Sequence, residues 1–155
     1  MYNRVVFISG PYRANTLEKI AANITAAENE AIWWVSNGFA VICPHKNTGD
    51  FEKILSEDKA LLPANEELIR RSDIMLMLSG WAMSKGSERE YACAVKSGKV
   101  ILAQRSGRQH MYNVISPQHL SRDVIVAKGK FYDPCGHTEI SWKVLKYERK
   151  RRGPK

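Results

Sequence analysis

Two unbroken apolar runs limit the architectures open to this chain. Val5–Ser9 reads VVFIS, and five of the seven residues of Asp73–Ser79 are Ile, Met or Leu. Apolar runs without polar alternation suit strands covered on both faces, as in a parallel sheet, rather than strands with one face in water. Between them, Leu17, Ile20, Ala21, Ile24, Ala27, Ala31, Trp34 and Val35 recur at helical spacing. Asn15, with Glu18 three residues on, supplies a capping signal for that helix, and Gly38 supplies its stop. Phe39–Cys43 reads as the second strand, ended by Pro44. His45–Asp50 is a polar loop, and Asp50 caps a short helix through Leu55. Pro63 fits the first turn of a further helix that reaches about Arg71.

The strand Asp73–Ser79 is followed by a loop, Gly80–Gly86, and by a helix that opens near Ser87 and stops at Gly98. Lys99–Gln104 is a fourth strand. The order β-α-β-α-β-α-β predicts an α/β fold with helices on both faces of a parallel sheet of four to five strands. After Gln104 the pattern weakens, because Arg105–Arg122 is polar and rich in turn formers. Val124–Lys128 reads as a fifth strand, and Thr138–Glu148 as a last helix with Ile140, Val144 and Tyr147 on one side. No repeat or linker interrupts the chain, so one domain is expected over residues 1–145 and a basic tail over 146–155.

A length of 155 residues suits one domain with a sizeable core. No apolar run is long enough to span a bilayer, and no membrane partner is expected. The start, MYNRVVFISG, reads as a first strand and not as a signal peptide. Cys43, Cys93 and Cys135 are an odd set that does not suggest a disulfide framework, so a reduced, cytoplasmic setting is expected. The net charge of +8 is concentrated in the tail, where Lys146–Lys155 holds six positive residues and one negative. A nucleic-acid partner is therefore expected only through that tail.

Ligands of an open parallel sheet bind beyond the carboxyl ends of its strands. Three candidate groups fall there. Gly10, Pro11, Tyr12 and Arg13 follow the first strand, where the backbone can approach an anion and Arg13 can fork onto a phosphate. This turn lacks both a dinucleotide fingerprint and a P-loop lysine, and a tight turn with an exposed arginine explains it equally. His45 follows the second strand. Ser84, Gly86, Ser87 and Glu90 follow the third, where hydroxyls and N–H groups can hold a sugar or phosphate. Ser87 through Glu90 also forms a capping box, which would use both side chains to tie off their own helix. Trp81 in the same loop either stacks on a base or packs over a helix end. The paired Cys43-Pro44-His45 and Cys135-Gly136-His137 lack the spacing of a structural zinc site, so no metal is expected.

Taken together, Ile8–Arg13, Pro44-His45, Ser72-Asp73, Gly80-Trp81 and Ser84-x-Gly86-x-x-x-Glu90 resemble the nucleoside 2-deoxyribosyltransferase-like superfamily, which includes nucleotide N-glycosidases. The resemblance covers Val5 to Gln104. It implies a flavodoxin-like Rossmann three-layer sandwich and cleavage of the N-glycosidic bond of a (deoxy)nucleoside 5′-monophosphate, or transfer of its sugar to another base. It implies Glu90 as nucleophile, with the Gly10–Arg13 turn, Ser84 and Gly86 around the sugar and phosphate. It also implies a homo-oligomer and no cofactor. One position departs from the pattern: Asn65 stands where the superfamily has an aspartate. An amide can hydrogen-bond but has no acidic proton to give, so a non-catalytic nucleotide-binding module is the alternative reading.

Overall fold

The structure, a computed structural model, describes residues 2–107 and 109–147. Among the described residues, eight strands form one sheet in the order β2-β1-β3-β4-β5-β6-β7-β8. β1 (Val5–Ser9), β2 (Ala40–Ile42), β3 (Ile74–Met77) and β4 (Val100–Gln104) are parallel. Their alternating side chains build two cores. Val6, Ile8, Ile74, Leu76, Val100 and Leu102 face α1 (Leu17–Ser36), meeting its Ala27 and Trp34. Phe7, Met75, Met77 and Ile101 face the other way, onto Ile69 of α3 (Leu62–Arg71) and Cys93 and Ala94 of α4 (Lys85–Lys96). Both faces are dry, which accounts for the unbroken apolar runs. Each fully buried Ile, Leu, Met or Phe adds about 1.5–3 kcal/mol.

The α/β fold is Rossmann-like, as the sequence predicts, but the sheet is wider than four to five strands. β5 (Met111–Val114), β6 (Asp123–Ala127), β7 (Lys130–Tyr132) and β8 (Glu139–Ile140) continue it as an antiparallel meander. β5 lies within the stretch read as polar loop. β8 and α5 (Trp142–Tyr147) replace the single helix expected from Thr138. The meander covers the α1 core with Tyr112, Val114, Val124, Val126 and Phe131. Buried Glu30 of α1 fixes the junction: its Oε2 accepts from Tyr112 OH at 2.6 Å and from Trp34 Nε1 at 3.2 Å.

Local boundaries shift for identifiable reasons. Thr16, not Asn15, caps α1, its Oγ1 accepting from the Lys19 N–H at 3.2 Å. Gly38 follows with φ +92°, a conformation that favours glycine. Pro44–Asn47 is a short helix, α2, where a loop was expected, because Pro44 can open a helix at its first position. Before α3, Glu57–Leu61 forms one wide π-type turn. Of the tail, residues 148–155 lie outside the described residues. No helix among the described residues is long and apolar enough to cross a membrane.

Candidate active site

Strand order places β1 between β2 and β3, so the chain leaves β1 at a point where its connections diverge. A cavity of about 750 Å³ opens there, a volume suited to a small organic ligand. Gly10–Arg13 after β1, Pro44, His45 and Gly49 around α2, the π-type turn and Asn65 of α3, and Ser84–Ser87 with Glu90 of α4 all line it. Gly10 is required where it stands, since a Cβ would come within 2.7 Å of Leu78 Cβ.

The Gly10–Arg13 turn is pinned from both sides. Asn23 Nδ2 donates to the Tyr12 carbonyl at 3.1 Å, and Tyr12 OH donates to the Gly49 carbonyl at 2.7 Å. His45 Nε2 lies 2.9 Å from the Pro11 carbonyl. A carbonyl only accepts, so Nε2 carries the proton and Nδ1 is an acceptor. Burial holds the His45 pKa below its ordinary value, which keeps the ring neutral. Its buried Nδ1 has no protein partner.

Glu90 is 7% exposed and does not tie off its own helix. Ser84 is the cap of α4, its Oγ accepting from the Ser87 N–H at 3.3 Å, one turn earlier than the capping-box reading required. Glu90 instead crosses to the sheet, where Ser9 Oγ donates to its Oε1 at 2.9 Å. Ser9 shares the face of Phe7, which is why its hydroxyl meets α4 and not α1. Burial pushes the Glu90 pKa up to about 7, while the Ser9 hydroxyl and the Asn65 amide pull it down. Asn65 thus favours the charged form of Glu90. The second carboxylate oxygen, Oε2, makes no close hydrogen bond, and neither does the buried Ser87 Oγ. An unpaired carboxylate oxygen and an unpaired hydroxyl beside one cavity are suited to a polar ligand.

Trp81 and Arg13 each carried two readings. Trp81 does not line the cavity; its ring stacks on Tyr91 at 4.9 Å and packs against the α3–α4 core. Arg13 lines the cavity with a largely exposed side chain that is already paired. Its Nη2 lies 2.7 Å from Glu57 Oε2 and its Nε 3.3 Å from Glu52 Oε2. Glu66 and Glu67, which follow Asn65, are held by arginines of α4 and α3. Sequence reasoning missed Ser9 and the acidic rim of Glu52, Glu57 and Asp58 as part of the site. Ser9 carried a signal as the one polar residue ending an apolar strand; the rim, in an irregular polar stretch, carried none.

The model of a family described as a domain of unknown function, DUF4406, matches residues 4–103. The chain belongs to this family. The match takes in the four parallel strands almost whole, together with every cavity residue named above, and stops where the meander begins. A solved structure of a CMP N-glycosidase from Clostridium botulinum, BcmB, is similar at 18% identity and a TM-score of 0.43, over 64% of this chain and 67% of that one. No curated protein matches the sequence.

Proposed function

We propose that the chain cleaves the N-glycosidic bond of a nucleoside or nucleoside 5′-monophosphate, with Glu90 as nucleophile. The observation that carries this reading is a buried carboxylate beside the cavity, one oxygen anchored by Ser9 and the other unpaired. Heterolysis of the bond from the anomeric carbon to the base nitrogen leaves the electron pair on the base and positive charge on the sugar. A carboxylate oxygen can stabilise that charge and bond to the anomeric carbon. Water then attacks the sugar ester, releasing the sugar and regenerating Glu90; a second base in place of water gives transfer. The superfamily resemblance of the Gly10–Arg13 and Ser84–Glu90 segments supports the same assignment. Asn65 lines the cavity with Glu90 and has no acidic proton to lend the departing base, so in this reading the base takes its proton from water.

The test is chromatography of ribo- and deoxyribonucleosides and their 5′-monophosphates after incubation with the full chain. Free base is expected from at least one of them, and Glu90→Gln is expected to lower its release by about 10³-fold or more while ligand still binds. Full activity in that variant would remove the nucleophile. Binding without release by the wild-type chain would favour the binding-module reading that Asn65 raises.

A further inference from the structure

The charges at the cavity mouth are ill matched to a phosphorylated ligand. Arg13, the group expected to grip a 5′-phosphate, is paired with Glu57 and Glu52. Glu57 also reaches further. Its Oε1 lies against the first turn of α4, where a Cβ on Gly86 would stand 3.3 Å from it. The Glu57 carboxylate is thus paired with a guanidinium on one side and lies near a helix N-terminal turn on the other, the two features suited to an incoming anion. That turn also carries Ser87 Oγ, 1% exposed and unpaired, so it is furnished for a ligand's polar group. Arg89, a second lining guanidinium, is held by Glu66 and the Asp58 carbonyl. In all, the lining sets Arg13, Lys85 and Arg89 against the carboxylates of Glu52, Glu57, Asp58 and Glu90. A phosphate monoester would add a charge of about −1.5 to −2 to this set.

We infer that Glu57 is the specificity-determining residue for the 5′ end of the substrate: its carboxylate occupies the position a 5′-phosphate would take between Arg13 and α4. An unphosphorylated nucleoside can donate its 5′-hydroxyl to that carboxylate. A nucleotide must displace it and meets like charge at Glu52 and Asp58. The inference rests on the glycosidase reading of the cavity and narrows its substrate class to nucleosides over their 5′-monophosphates.

Calorimetric titration of the common nucleosides and their 5′-monophosphates into the full chain tests this. The wild-type chain is expected to bind its best nucleoside at least as tightly as the matching monophosphate. Glu57→Gln is expected to shift the ratio about tenfold or more toward the monophosphate, with Glu57→Ala shifting it the same way. The double variant Arg13→Ala/Glu57→Gln is expected to lose that gain, because the released Arg13 is what receives the phosphate. A wild-type preference of about tenfold for the monophosphate, or a ratio unmoved in both Glu57 variants, would overturn the inference. If base release persists while the ratio stays put, only the role of Glu57 fails. If no nucleoside or nucleotide binds any of these chains, the glycosidase reading fails with it.

Discussion

The role proposed for Glu90 sets reactivity against stability. Burial raises its pKa to about 7 in the folded chain, against about 4.3 for an unperturbed glutamate. Between those values the folded chain holds a proton that the unfolded chain has released, so stability falls as pH rises through that window. The cost reaches the order of 3 kcal/mol once the pH exceeds both values. Glutamine keeps the shape without a charge to desolvate. Glu90→Gln is therefore expected to melt several degrees above wild type at about pH 8, and close to it at about pH 4.5. Scanning calorimetry at the two pH values checks this, and an equal shift at both would mean that burial of the charge is not the cause. The same titration governs the proposed chemistry, which needs the carboxylate: kcat/KM for base release is expected to rise with pH through about 7.

At the scale of elements, the loop between β3 and α4 divides its work between support and site. Trp81 opens a tight turn over Trp81–Met83 and stacks on Tyr91 of α4, so it braces the helix that carries Glu90. Trp81→Ala is expected to cost about 1–3 kcal/mol in denaturant unfolding, with Trp81→Phe retaining most of it. Nucleoside affinity is expected to change little in the phenylalanine variant; a large loss there would return Trp81 to the ligand. This element also shows what a sequence can and cannot reveal. β1, β3 and α1 were legible because their apolar residues repeat at the period of the structure they form. The cap of α4 was not, because Ser84 and Ser87 satisfy local rules equally well. What decides between them is the bond from Glu90 to Ser9, 81 residues away in the chain. The antiparallel strands were hidden for a related reason: Met111–Val114 is short, and it is a strand by virtue of pairing with β4 and β6.

Across the whole molecule, the family match ends at residue 103 but the core does not. Tyr112, Val114, Val124, Val126, Phe131 and Leu145 are buried in the cluster that holds Trp34 and Phe39. At about 1.5–3 kcal/mol for each such side chain, their removal costs as much as the roughly 5–15 kcal/mol by which a domain is stable. Their loss would also expose the β4 edge and leave the buried Glu30 carboxylate without its Tyr112 donor. A chain cut after Gln104 keeps every cavity residue yet is expected neither to melt cooperatively nor to bind nucleosides. Tyr112→Phe in the full chain isolates one of these terms. It is expected to fold and to lose about 1–3 kcal/mol, since Trp34 Nε1 still donates to Glu30. Circular dichroism melts of the two chains separate the cases. A cooperative transition in the truncated chain would show that the parallel half folds alone and that the meander is an accessory to the site.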